Sequence, residues 1–183
     1  MRGRSIFIML AVAVALGAVL YVTTRPKPAP PVEPRSFVWL FEMGDLRTMS
    51  ISLPQQGKSE TWVKHQDQYW YFDKPQGPKV DMQRWGGGIP LILSGPGANR
   101  RISASASDEQ LSIYGLVNPQ MRIKLALQDG KTIDIIVGDS TPDHQAYYIK
   151  LVDSKEVFTV DYTWYDVLAQ LVLDPPYPPP GQQ

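Results

Sequence analysis

Met121-Arg-Ile-Lys-Leu-Ala-Leu-Gln-Asp-Gly-Lys-Thr-Ile-Asp-Ile-Ile-Val137 is the stretch from which the fold can be read. Apolar side chains stand at Met121, Ile123, Leu125 and Leu127, every second residue. In a strand successive side chains point to opposite faces, so this period describes a strand with one buried face. Asp129-Gly130 supplies a tight turn, and Thr132 to Val137 returns as a second strand.

Downstream, Gln145 to Lys150 and Glu156 to Val160 extend the hairpin into a meander. Upstream, Glu60 to His65 and Tyr69 to Phe72 flank Gln66-Asp67-Gln68 as another hairpin, and Asp73 to Pro78 punctuates it. Leu46, Met49 and Ile51 lead to a strand end at Leu53-Pro54, and Phe37 to Phe41 is a short aromatic and aliphatic run. Asp161 to Leu173 breaks the pattern: Trp164, Val167, Leu168, Leu171 and Val172 recur at helical spacing. Asp161 is the expected N-cap, and Asp174-Pro-Pro ends the helix. Asp81 to Leu93 has the same outline, with Val80-Asp81 and Leu91-Ile-Leu93 matching Val160-Asp161 and Leu171-Val-Leu173 at a constant offset. The expectation is a β-rich α+β domain of strand meanders each closed by a helix, an internal duplication. Gly86 to Gly88 is then a helical stretch against which another backbone comes close.

The domain is expected over residues 37–173. Before it, Ser5 to Val22 carries no charge. A helix needs about 20 apolar residues to cross a bilayer core of roughly 30 Å, so residues 1–24 are expected to form an uncleaved transmembrane anchor in the lipid bilayer. Signal cleavage is disfavoured because the apolar run is long and Tyr21-Val-Thr-Thr-Arg-Pro26 is a poor cleavage site. Arg2 and Arg4 favour a cytoplasmic N-terminus, which places the domain on the extracytoplasmic side of a bacterial inner membrane. Ala11, Ala13, Ala15, Gly17 and Ala18 offer small-residue spacing for close helix packing in lipid. Residues 25–36 are a Pro-rich linker, a semi-rigid spacer of about 3.1 Å per residue. Residues 174–183 are a Pro-rich tail that can neither continue a helix nor donate to a sheet; it is expected to be disordered in isolation, the alternative being a polyproline strap on a neighbour.

Residues 37–173 hold 13 Lys and Arg against 16 Asp and Glu, a balance of −3. That argues against nucleic acid, which wants a basic footprint. The absence of cysteine fits a reducing compartment or an oxidising one without disulfides. The two histidines are His65 and His144. Asp139, Ser140, Asp143 and His144 share one loop, a set that invites a metal or a Ser-His-Asp relay. They are also ordinary turn formers, and no Gly-x-Ser-x-Gly elbow is present. No catalytic residue, cofactor or metal is assigned. The strands are crowded with aromatics, of which Trp39, Phe41, Trp62 and Tyr147 are nominated for an interface, where such rings are enriched. Trp70 is expected to be buried, facing the helix that begins near Asp81.

Three stretches resemble a known family. Gln68-Tyr-Trp-Tyr-Phe-Asp-Lys-Pro75 is similar to its Trp-containing strand before an Asp-led helix. Leu111-Ser-Ile-Tyr-Gly-Leu-Val-Asn-Pro119 resembles its Tyr-Gly-Leu-x-x-Pro signature. Ile133 to Gly138 followed by Ala146-Tyr-Tyr148 resembles its paired strands. The family is the bacterial membrane-anchored one numbered 4340 among the domains of unknown function, and the resemblance is read from about Leu46 to Leu173. It implies an anchored α+β module, in some genomes encoded beside auxiliary subunits of gliding-type ABC transporters, with no catalytic residues to carry over. This chain departs from longer members by its single compact unit and its Pro-rich tail. Two functions of different class follow as expectations. One is a non-catalytic accessory or assembly subunit docking on a larger integral membrane complex, either an ABC transporter or a photosynthetic or other energy-transducing assembly. The other is a tethered ligand-binding or metal-dependent enzymatic domain centred on the Asp139–His144 loop.

Overall fold

The computed structural model describes residues 37–179, and Val14, Leu16 and Tyr21 before them. Among the described residues no helix is long and apolar enough to cross a membrane. The expected anchor, with Ala11, Ala13, Ala15, Gly17 and Ala18, and the Pro-rich linker lie outside them, apart from those three helical positions.

Strands β1 (Leu46–Leu53), β2 (Lys58–Lys64) and β3 (Trp70–Phe72) form a first meander. Helices α1 (Met82–Trp85) and α2 (Ile89–Ser94) follow, then β4 (Arg100–Ser103) and α3 (Asp108–Ile113). The second meander is β5 (Met121–Leu127), β6 (Thr132–Ser140), β7 (Ala146–Leu151) and β8 (Val157–Asp161), and α4 (Tyr162–Leu173) closes it. All eight strands join one sheet in the order β3-β2-β1-β5-β6-β7-β8-β4. Every neighbouring pair is antiparallel. The two meanders therefore spread outward from a central β1–β5 pair, and β4 crosses over to the far edge.

The alternation quoted from Met121 to Leu127 sets the core. Met49 pairs with Leu125 and Ile51 with Ile123, and all four are buried. On this face α4 packs across β1, β2, β7 and β8, inserting Trp164, Leu168, Leu171 and Val172, the helical-spacing residues apart from exposed Val167. Asp161 caps α4 by accepting from the Thr163 N–H at 2.9 Å, and Asp81 caps α1 by accepting from the Gln83 N–H at 2.9 Å. The two segments aligned by the constant offset thus begin alike. They continue differently: Gly86, at φ 63°, ends α1 and splits the segment into two short helices. A Cβ at Gly86, Gly87 or Gly88 would meet nothing within 4 Å. The glycines break a helix there, and the expected close backbone approach is corrected. The offset also fails in burial, since Leu91 is exposed where Leu171 is buried.

The opposite face of the sheet is half covered. Ser107 and Gln110 form a capping box that starts α3, and Leu111, Tyr114 and Leu116 cover Ile136, Val157 and Tyr148 as a second, smaller cluster. Tyr147 and Tyr148 point to opposite faces as the strand period requires: Tyr147 stacks on Tyr165 of α4 at 4.0 Å, and Tyr148 on Tyr114 at 4.5 Å.

The tail corrects an expectation. Asp174 to Pro179 is a strap lying on this chain's own domain. The Pro176 carbonyl accepts from the Asp81 N–H at 3.0 Å. Arg84 pairs with Asp174 at 2.7 Å, and Tyr177 lies flat on Phe72, ring centroids 4.0 Å apart. Proline rules out ladder bonding but leaves carbonyls and a tyrosine ring for neighbours to hold.

Candidate docking surface

The aromatics nominated for an interface are mostly structural. Trp62 has no exposed surface and packs edge-on to Trp85 at 5.3 Å and against Phe72 at 6.1 Å. Trp39 is buried; its indole N–H donates to the Leu93 carbonyl at 2.7 Å, and its ring meets Trp164 edge-on. Phe41 and Tyr147 are half-buried against the main cluster. Trp39 and Trp62 are therefore corrected from interface to core: the helices on this face supply the cover that the sequence left uncounted. Trp70 is buried, as expected, and stacks on Trp85 of α1 at 6.0 Å.

The rings that go inside leave other apolar side chains outside. Phe37 to Phe41 is not a strand of the sheet beyond a single bridge between Phe37 and Gly97. It runs beside the end of α2, with the Phe41 N–H donating to the Ser94 carbonyl at 2.9 Å and the Val38 N–H to the Pro96 carbonyl at 3.2 Å. Val38 and Trp39 turn in, while Phe37 and Leu40 turn out, 47% and 69% exposed. Their side chains meet over Gly95, where a Cβ would collide with Leu40 and touch Phe37. Leu91, one turn earlier on the same helix, is 61% exposed. Met43, also exposed, stands in the 3-10 turn Met43–Asp45 that packs on α2. These four side chains form an apolar ridge where the described domain begins. Contiguous exposed apolar side chains mark contact surfaces more often than single ones do. On the other side of α2, a groove of about 420 Å³ runs to α4, walled by Trp85, Ile89, Val167, Leu171 and Pro176. The sequence signal was weak: a six-residue helix cannot bury all of Leu91, Ile92 and Leu93, but nothing local says which one stays out.

The Asp139–His144 loop is a turn whose polar atoms serve the turn. Thr141 bonds Asp143 at 2.5 Å through its hydroxyl, and the Thr141 N–H donates to the Ala146 carbonyl at 2.8 Å. The Gln145 N–H donates to Asp143 at 3.2 Å. The Thr141 hydroxyl, first, and that N–H hold the Asp143 carboxyl below the usual carboxylate range. Ser140 Oγ and His144 Nδ1 are 3.2 Å apart, but Asp143 is engaged by Thr141 and Asp139 by Gln120 at 2.9 Å. The structure thus brings serine and histidine together, and among the described residues the imidazole has no carboxylate partner of the kind a relay requires. Among the described residues no three His, Cys, Asp or Glu side chains converge as a metal would need. An open cleft of about 440 Å³ borders this loop, lined by Asn99, Arg100, Asp143, Gln145, Tyr148 and Thr159. Arg100 begins the edge strand β4, and His65, at the end of the strand read from Glu60 to His65, stacks on Tyr71 at 4.2 Å.

No curated protein and no solved structure matches the chain. One family model does match, over residues 96–174. That span runs from just before β4 through α4 and contains the Tyr114-Gly-Leu116 signature, while Gln68 to Pro75 falls outside it. Over those residues the chain resembles the family described as Domain of unknown function (DUF4340).

Proposed function

We propose that the protein is a non-catalytic accessory or assembly subunit that docks on a larger integral membrane complex, an ABC transporter or an energy-transducing assembly. Residues 5–22 hold it in a bacterial inner membrane, with the N-terminus cytoplasmic and the domain outside. The observation that carries the docking reading is the apolar ridge of Phe37, Leu40, Met43 and Leu91. Phe37, its first member, follows the Pro-rich stretch directly in the sequence.

The test is co-recovery of the full chain with its complex in mild detergent. Leu40→Asp with Leu91→Asp is expected to leave the near-UV spectrum of the domain intact, since both side chains are exposed, and to lower recovery of the complex at least about tenfold, the loss expected when interface anchors worth more than 1.4 kcal/mol are removed. Replacing Asp139, Asp143 and His144 by Ala should leave recovery unchanged. A second reading, a tethered ligand-binding domain, is favoured by the cleft beside that loop. It prevails if the loop variant loses function while the ridge variant keeps both partner and function.

A further inference from the structure

The tail rests in a groove with the parts of a peptide site. In Asp174-Pro-Pro-Tyr-Pro-Pro the prolines have no N–H to donate, and a hydrogen bond inside the segment runs from the Tyr177 N–H to the Pro175 carbonyl at 2.8 Å, a tight turn about Pro176. The carbonyls of Pro176 and Tyr177 are left to be read by a neighbour. Both are: Pro176 by the Asp81 N–H at 3.0 Å and Tyr177 by Arg84 Nη1 at 3.4 Å. Between the carbonyls the Tyr177 ring lies on Phe72, tilted by only 9°. Phe72 is itself a core side chain, so the floor is rigid. At the far end the Tyr177 hydroxyl meets a charged pair. It bonds Lys74 Nζ and lies 3.3 Å from Glu60, and Lys74 and Glu60 are 2.9 Å apart.

Glu60 is an unusual residue for this place. It pairs with Ile51 in the sheet, which puts its carboxylate on the core side. Its Oε2 is buried without a hydrogen-bond partner among the described residues. A buried carboxylate is costly unless its lone pairs are used. Lys74 and a phenol hydroxyl are the groups that engage its other oxygen, and Tyr177 supplies the phenol. The groove thus specifies an aromatic hydroxyl flanked on both sides by proline. Aromatic-lined grooves that take Pro-rich segments are a recurring recognition mode.

We propose that Glu60, Phe72, Lys74, Asp81 and Arg84 form a recognition groove for a proline-flanked tyrosine segment of a partner protein, and that the Tyr177 strap of this chain occupies the groove until displaced. A covalently attached occupant acts at an effective concentration in the millimolar range. The tail of a second copy offers the same contacts without that advantage and loses to the resident strap. A segment on a partner held beside the domain carries its own tether and competes on equal terms. The groove does not include the ridge around Leu40, so either assignment can fail without the other.

The experiment uses the full chain in detergent and a labelled peptide of residues 174–183. Tyr177→Ala removes the resident ring and is expected to bind the peptide saturably, with the wild type at least about tenfold weaker because its own strap competes. A peptide with Ala in place of its tyrosine should not bind. Adding Lys74→Ala or Arg84→Ala to Tyr177→Ala should weaken binding several-fold, and both side chains are exposed enough for the fold to survive. The proposal is overturned if a Tyr177→Ala chain with native near-UV spectrum ignores the peptide. It is equally overturned if the wild type binds as well as Tyr177→Ala, or the Ala peptide as well as the Tyr peptide. Should Tyr177→Ala unfold, Asp174→Ala, which releases only the Arg84 pair, must raise peptide binding above the wild type; unchanged binding refutes the groove.

Discussion

Gly115 shows what a short signature can encode. It follows the last residue of α3 and its cap Tyr114, at φ +69°, and the Leu116 N–H reaches back to the Leu111 carbonyl at 2.9 Å. That is the glycine stop in which a left-handed residue lets the chain leave the helix. Tyr114 before it offers its carbonyl to the Asp139 N–H at 2.9 Å, and Leu116 after it is buried in the smaller cluster. A Cβ at Gly115 would run into the Asp139 carboxylate. Left-handed backbone costs an L-residue about 1–2 kcal/mol on its own. Gly115→Ala should therefore lower stability by about that or more, and urea unfolding at neutral pH measures it. An unchanged midpoint would mean that α3 is not held through this turn. The Tyr-Gly-Leu motif was legible as a motif, but its work, closing a helix over the second face of the sheet, needed Asp139 from a strand far along the chain.

At the scale of elements, α4 was legible almost whole, because its apolar spacing, N-cap and proline stop all agree, whereas the α1–α2 segment was not. The same aspartate cap begins both, but three glycines remove the side chains that would carry a helix through. The cap of α4 also titrates. The Thr163 hydroxyl, first, and the Thr163 N–H hold Asp161 below the usual carboxylate range. A depressed folded pKa gives stability that is present above the unfolded value and lost as pH falls through the folded one. Asp161→Ala should cost about 1 kcal/mol at pH 7, and the gap to the wild type should narrow below about pH 4, where the unfolded carboxyl is already protonated. Equal gaps at pH 7 and pH 3 would show that the charge contributes nothing. Strand pairing was legible where alternation was clean, at β5 and β6, and in the hairpin of β2 and β3. Residue type alone nominates Trp39 for an interface, whereas its indole N–H is drawn inward to the Leu93 carbonyl.

For the whole molecule, the resemblance covers residues 96–174, but that span is not self-sufficient. Cut out alone, it would strip β5 of β1 and α4 of its packing on β1 and β2. Trp164 would lose Trp39 and the Ile92 carbonyl that its indole N–H donates to at 2.9 Å. Expressed by itself, 96–174 is expected to show no cooperative melt, whereas 37–183 should melt as one unit; a sharp transition for the shorter piece would make it a domain in its own right. The order of the sheet was illegible because it depends on which edges remain open, and no local residue states that β4 travels to β8. That crossover has a consequence in time. Arg101 finds its partner Phe158 only after the entire second meander exists, and β1 waits likewise for β5. A chain emerging from the ribosome or a translocation channel therefore cannot finish its first half before its second. Until β8 arrives, β4 has no strand to pair with among the described residues, and the Asp81 N–H at the start of α1 finds its acceptor only when Pro176 has been made. Contacts so far apart in sequence fold slowly, so the described sheet passes through its making with open edges at β1 and β4, and closes only when the second meander is complete.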